Sequence, residues 1–270
     1  MADEDRLEEM IRQVCAGARY RELDPGLVRR LTILELAKGR SSKETVKAVR
    51  NKLHQVGGAY QEDGIAYDRW SAALELLPPT FSAPETQNFC RAMMRQHAST
   101  RERLGIVENF YQQTLAPLGP IHSVLDLACG LNPLCAPWMP LAPDAQYWAC
   151  DVYQDMTTFL CRFFAHMQLK GGAEMCDLVQ GCPQKPVQLV LLLKTIPCLE
   201  QVDKQVGARL LDNLPGEHAL ISFPARSLGG RSKRMVQNYE AHFETLTAGR
   251  NWRIQRFEFS SELAFLCSRS

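Results

Sequence analysis

The chain has 270 residues, 46% of them apolar and 23% charged, with a formal net charge of +1. That length suits one large domain or two modest ones, and the composition is that of a globular protein, not a disordered one. The longest apolar run, Leu189 to Leu193, is far too short to span a bilayer, and the acidic stretch Met1 to Glu9 is no signal peptide.

The chain up to about residue 100 reads as helical. Pro25 to Lys38 carries Leu27, Val28, Leu31, Leu34 and Leu36 near helical period, with Gly39 as a stop. Ser41-Ser42-Lys43-Glu44 is a capping box that opens a helix to about His54. Val46, Val49 and Leu53 mark its apolar face. Lys43, Lys47, Arg50 and His54 form a basic stripe on the other. Ala66 to Leu77 and Pro84 to Met94 predict two more helices. A second capping box, Ser99-Thr100-Arg101-Glu102, predicts one from there to about Leu115.

After Pro120 the pattern changes to strands alternating with helices. The strand candidates are His122–Ala128, Gln146–Asp151, Ala173–Leu178, Val187–Lys194 and Glu217–Phe223. Trp252–Phe259 and Glu262–Cys267 then form an antiparallel hairpin across Ser260-Ser261. This is the strand order of an α/β, seven-stranded class I methyltransferase dependent on S-adenosylmethionine (SAM), a Rossmann-like fold. Residues 1–96 would form an N-terminal helical domain and 97–270 the methyltransferase domain.

The ligand reading starts at Val124-Leu125-Asp126-Leu127-Ala128-Cys129-Gly130. A buried strand feeds a tight turn, where an open α/β sheet holds a nucleotide-like ligand. Asp151 ends the next strand and can accept both hydroxyls of a ribose. A turn with one Gly does not cradle a pyrophosphate, so SAM fits better than a dinucleotide. Asp177-Leu178 ends the third strand, where an acid can accept from an adenine amino group, and Leu193-Lys194 ends the fourth. Ten cysteines without a C-x-x-C pair read as reduced thiols in a cytoplasmic protein, with no metal site.

Charge is unevenly spread. Between Arg12 and Tyr60 stand eleven Lys/Arg against four acids, and Arg226 to Arg234 holds four basic residues and no acid. Two such patches in a near-neutral protein suggest a polyanionic partner.

Three motifs then carry a family resemblance. His97-Ala98-Ser99-Thr100-Arg101-Glu102-Arg103-Leu104, the run Leu125 to Leu134, and Ser222-Phe223-Pro224-Ala225-Arg226-Ser227-Leu228-Gly229-Gly230-Arg231 resemble the aminoglycoside-resistance 16S rRNA (guanine-N7)-methyltransferases. His54 with Gly57-Gly58-Ala59-Tyr60 matches their N-terminal domain. The resemblance covers nearly the whole chain. It implies that Tyr60 and the segment from His97 through Ala98, Ser99, Thr100, Arg101 and Glu102 to Arg103 close over SAM, with Arg103 on its carboxylate. Asp126, Ala128 and Gly130 would line the methionine, and Asp151 with Val152 the ribose. Asp177 and Leu178 would take the adenine, Leu193 and Lys194 the far wall, and Gln201 is the nearest match to a family glutamine.

The partner implied is 16S rRNA in the assembled 30S subunit, methylated at the decoding-site guanine by a monomer without metal. No catalytic base is expected. Lys43, Lys47, Arg50, His54 and Arg234 would bind rRNA. Arg226, Arg231, Lys233 and Met235 would capture the flipped base. Arg234 stands where the family has Gly and adds charge toward RNA. Two other readings remain at this point: a methyltransferase acting on a small molecule or another rRNA base, and a non-catalytic RNA-binding factor. The basic stripe argues against a small molecule, and the intact acids against loss of catalysis.

Overall fold

The computed structural model describes residues 2–58, 65–225 and 233–269. Helices α1 (Ala2–Cys15), α2 (Pro25–Leu36), α3 (Ser42–Leu53), α4 (Tyr67–Leu74) and α5 (Pro84–Met94) come first. Asp24 caps α2 by accepting from the Leu27 amide at 2.7 Å, with Pro25 preorganised at the first helical position. The expected capping box of α3 forms in both directions, Glu44 N–H to the Ser41 hydroxyl and Ser41 N–H to the Glu44 carboxylate.

The expected single helix from Ser99 to Leu115 is two: α6 (Ala98–Arg103) and α7 (Val107–Leu115). Ser99 lies inside α6 and caps nothing. The Thr100 hydroxyl donates to the Met94 carbonyl at 2.7 Å, which ties the α6 start upstream to the end of α5. Gly105, a poor helix former, sits in the break.

The described residues build one seven-stranded sheet in the order β3-β2-β1-β4-β5-β7-β6. Its strands are β1 (Ile121–Leu127), β2 (Leu141–Asp151), β3 (Lys170–Met175), β4 (Val187–Leu193), β5 (Gly216–Pro224), β6 (Trp252–Glu258) and β7 (Glu262–Arg269). The first five run parallel, and β7 lies antiparallel between β5 and β6. Helix α8 (Gln154–His166) follows β2. Helices α9 (Ile196–Leu199) and α10 (Val206–Asp212) follow β4, and α11 (Lys233–Thr247) precedes β6.

Strand β3 lies three residues upstream of its expected start at Ala173. The pair Gly171-Gly172, which looks like a break in the sequence, pairs with Tyr147 and Trp148. Gly171 has φ +124°, and a Cβ there would come within 1.9 Å of the Tyr147 carbonyl oxygen, so the close approach requires glycine. Asp177 and Leu178 consequently lie in the loop beyond β3.

Hydrophobic clusters cover both sheet faces. One contains Leu7, Val28 and Val49 together with Phe110, Tyr147 and Phe163, so the helices before residue 96 share a core with the sheet. The Asp24 amide donates to the Val152 carbonyl at 2.8 Å, and Leu23 bridges Tyr153, which fixes α2 above the ends of β2 and β3. The other cluster packs α10 and α11 against the opposite face through Leu210, Phe243 and Phe265. All ten cysteines are free. Among the described residues no helix is long and apolar enough to cross a membrane.

Candidate functional site

A cleft with about 890 Å³ of empty space, part of it open to solvent, lies over the carboxyl ends of β1, β2 and β4. Its floor is made by backbone in an unusual conformation. Ala128 and Gly130 after β1 and Lys194 after β4 all have left-handed φ, at 48°, 52° and 60°. For Ala128 and Lys194 this costs about 1–2 kcal/mol each, the kind of strain that a ligand-binding turn retains. At Gly130 a Cβ would also meet the His97 ring at 2.7 Å. Gly130→Ala is therefore expected to lose at least about 1–2 kcal/mol of stability and to displace His97 from the cleft wall. Thermal denaturation checks this: a melting temperature equal to wild type would mean that the turn relaxes freely.

Two acids stand at the strand ends. Asp151 accepts from the Gly130 amide at 2.8 Å and the Val152 amide at 2.7 Å. Burial nevertheless pushes its carboxyl up to about 6. Asp126 is fully buried and accepts from Asn132 Nδ2 at 2.8 Å and the Tyr147 hydroxyl at 2.7 Å. Burial raises it to about 7. The His97 ring is lowered to about 4, first by burial and then by the charges of Arg103, Lys194 and Arg101, so it is neutral at physiological pH.

Arg103 has no exposed surface. Its guanidinium donates to both oxygens of Glu262, at 3.0 and 2.7 Å, and to Asn132 Oδ1 at 2.7 Å. Burial alone would lower its pKa; the Glu262 charge overrides this and raises it. Lys194, also buried, pairs with Glu102 at 2.7 Å. At the other end of the cleft Asp177 accepts from Arg30 of α2 at 2.6 and 2.9 Å and from the Val179 amide at 3.0 Å.

Of the residues expected here, His97, Ser99, Arg103, Asp126, Ala128, Asp151, Val152, Asp177, Leu178, Leu193 and Lys194 line the cleft, and Gly130 forms its floor turn. The intervening α6 residues face elsewhere. Ala98 and Thr100 are buried in packing, Arg101 donates to the Arg95 carbonyl, and Glu102 reaches Lys194. Gln201 is placed outside the cleft: it is exposed and donates to the Pro197 carbonyl at 3.3 Å, while Cys198, Leu199 and Val202 face inward on the same segment. Leu27, Val56, Gly57 and Tyr153 also line the wall, with Cys129, Asn132, Cys176, Val179 and Thr195. Sequence reasoning names Gly57 only as part of a family motif and assigns no cleft role to Leu27, Val56 or Tyr153; Leu27 and Val56 belong to segments far upstream in the chain of the strand ends they face. Tyr60, Arg226 and Arg231 lie outside the described residues. Lys233 begins α11, with Arg234 exposed and Met235 half-buried beside it.

The basic stripe is only partly presented. Lys43 and Lys47 are exposed, and His54 is exposed beside Arg19. Arg50 is half-buried, and its guanidinium donates to the Gln13 carbonyl near the end of α1. It joins α1 to α3 and is not a free phosphate ligand.

The donor set fits an amino-acid-bearing nucleoside. Asp151 has lone pairs left for two hydroxyls, Leu178, Val152 and Leu27 offer an apolar slot for a base, and Arg103 keeps one N–H on each terminal nitrogen for a further acceptor. Among the described residues no group of His, Cys, Asp and Glu is arranged to hold a metal ion.

The ribosomal RNA methyltransferase family FmrO matches residues 16–266. A 16S rRNA (guanine(1405)-N(7))-methyltransferase of Micromonospora echinospora is 33% identical over 99% of this chain and 98% of its own length. One of Frankia casuarinae is 34% identical over 99% of this chain and 95% of its own. Among solved structures, the 16S rRNA methyltransferase RmtF in complex with S-adenosyl-L-homocysteine superposes with a TM-score of 0.83 at 28% identity, covering 98% of both chains. The 16S rRNA methylase RmtB gives 0.80 at 27% identity, also covering 98% of both. With strand order, strand-end acids and full-length similarity in agreement, the chain belongs to the FmrO family of ribosomal RNA methyltransferases.

Proposed function

We propose that this protein transfers the methyl group of SAM to N7 of guanine 1405 of 16S rRNA, the reaction its relatives are named for, and thereby confers aminoglycoside resistance. The observation that supports the reading is the cleft itself, which Asp151, Asp177 and Arg103 line together; on this reading they take the ribose, the adenine and the carboxylate. Bound SAM supplies an electrophilic methyl group. Guanine N7 keeps an unprotonated lone pair at neutral pH, so the protein needs no base. Its work is to hold the donor, exclude water and place a flipped base in line. Burial lowers the His97 ring to about 4, which makes it a weak base, and Lys194 is held in an ion pair with Glu102, in keeping with a reaction that needs no general base.

Residues 1–96 act as the docking segment, with Lys43, Lys47 and His54 toward phosphates. Arg226, Arg231, Lys233, Arg234 and Met235 form the base-capture segment that follows β5. The protein works as a monomer on cytoplasmic 30S subunits. The target surface is shaped by several rRNA helices and exists only after assembly. Purified enzyme and tritiated SAM should therefore methylate 30S subunits, and do so little or not at all with naked 16S rRNA or 70S ribosomes. Borohydride/aniline cleavage should map the product to nucleotide 1405. Efficient methylation of naked rRNA, or cleavage at another position, would overturn the reading.

The raised Asp151 carboxyl sets the pH dependence. Ribose hydroxyls donate to the ionised form, so protonation of Asp151 competes with SAM. Affinity should be flat above about pH 7 and fall about tenfold per unit once pH drops below about 6. Calorimetric titration across pH 5–8 measures this, and Asp151→Asn should remove the slope.

A further inference from the structure

Glu262 opens β7 as the one acid in an otherwise apolar run, and it is 0% exposed. It accepts from Arg103 Nε at 3.0 Å and Nη2 at 2.7 Å, and from the Ser222 hydroxyl of β5 at 2.5 Å. Lys194 Nζ stands 3.6 Å away. Residues from α6, β5 and the end of β4 thus converge on a single buried carboxylate at the cleft edge of the sheet.

Stability gives no reason for this arrangement. Apolar residues of similar volume often replace a buried ion pair without loss. Orientation does give one. A guanidinium carries five N–H donors in a fixed plane. Glu262 takes two of them and Asn132 Oδ1 takes a third. One N–H on each terminal nitrogen remains, and Arg103 lines the cleft. A buried donor without an acceptor is costly, and a carboxylate is the acceptor that satisfies such a pair best. Asn132 is itself held from two sides, by the Tyr111 hydroxyl at 2.6 Å and by its own bond to Asp126 at 2.8 Å.

We infer that Glu262, held by Ser222, is a positioning residue that aims Arg103 at the carboxylate of the methyl donor. Glu262 itself touches no ligand. The inference rests on the cofactor reading above and adds the residue that makes one end of it selective. It predicts that the protein distinguishes donors by their carboxylate and that this selectivity is written in β5 and β7, outside the cofactor motifs.

The test compares two ligands on the full chain by calorimetry: S-adenosylhomocysteine and its decarboxylated analogue, which keeps the ammonium. Wild type should prefer the carboxylate form by about 10–100-fold, the worth of one charge-assisted contact. Glu262→Gln should cut that preference about tenfold while the affinity for the decarboxylated analogue stays within about twofold. Should Glu262→Gln fail to fold, Ser222→Ala removes only the hydroxyl that steadies the acid and should cut the preference about threefold. Equal weakening of both ligands would make Glu262 a packing residue and overturn the inference. Arg103→Gln separates the two levels. If it abolishes the preference while Glu262→Gln and Ser222→Ala do not, Arg103 aims itself and only this inference fails. If Arg103→Gln leaves the preference intact, the carboxylate lies elsewhere and the cofactor reading fails with it.

Discussion

Asp151→Ala is expected to weaken SAM binding by about 10²–10⁴-fold. Two ribose hydroxyls donating to one buried carboxylate contribute about 1.5–3 kcal/mol each, and every 1.4 kcal/mol is a factor of ten. The same substitution should leave folding stability at pH 8 nearly unchanged. The folded-state pKa, about 6, is raised above the ordinary aspartate value by burial. A group of that kind adds stability only while protonated, and the contribution is lost as pH rises through about 6. At pH 8 the ionised Asp151 is a burden on the apo fold, offset by the Gly130 and Val152 amides. Removing it therefore trades two amide bonds for relief of a desolvated charge. Scanning calorimetry should show an apo melting temperature close to wild type, with the stabilisation by added SAM gone. A SAM dissociation constant equal to wild type would remove Asp151 from the ribose.

How much of this is legible in the sequence depends on how far apart the interacting residues lie. Strands β1, β2 and β4 announce themselves as apolar runs ending in Asp126, Asp151 and Lys194, because a parallel strand buried on both faces must be apolar until it reaches the ligand edge. Side-chain caps are local, and the pairing of Ser41 with Glu44 forms as its spacing predicts. The second expected cap does not form: α6 starts at Ala98, which puts Ser99 inside the helix, and the Glu102 carboxylate pairs with Lys194, 92 residues away, an interaction that sequence spacing does not encode. The cleft acids are visible in the sequence, but their counterparts are not. Arg30 meets Asp177 across 147 residues and Arg103 meets Glu262 across 159. A lone acid inside Glu262-Leu263-Ala264-Phe265-Leu266 is a signal for a buried charge in need of a partner, though nothing in it names Arg103.

The basic stripe shows the same limit. Helical spacing places Lys43, Lys47, Arg50 and His54 together, but spacing says nothing of what packs alongside. Helix α1, whose Leu7, Met10, Ile11 and Val14 fall at helical spacing, runs past Arg50 and takes its guanidinium at the Gln13 carbonyl. A residue that reads as a phosphate ligand on an isolated helix is thereby a tie between two helices.

That correction sharpens the docking prediction. Lys43 and Lys47 are one turn apart on α3, exposed, and opposite the buried Val46, Val49 and Leu53. The double reversal Lys43→Glu, Lys47→Glu turns two attractive phosphate interactions into two repulsive ones. It should weaken 30S binding about 10–100-fold while the SAM dissociation constant stays within about twofold. Salt distinguishes this from misfolding. Removal of each lysine–phosphate pairing should make the slope of log K against log salt shallower by about 1, so the variant and wild type should converge as salt rises. Arg50→Ala should behave differently, lowering the melting temperature because it frees the α1–α3 tie, with its docking defect no larger than its stability defect explains. Filter binding of 30S subunits at several salt concentrations, with calorimetry for SAM, separates these cases. If the double reversal binds 30S with wild-type affinity and salt slope, the docking face lies elsewhere. If it loses SAM as well, α3 supports the cleft through the turn that carries Val56 and Gly57, and its lysines are not independent of the chemistry they flank.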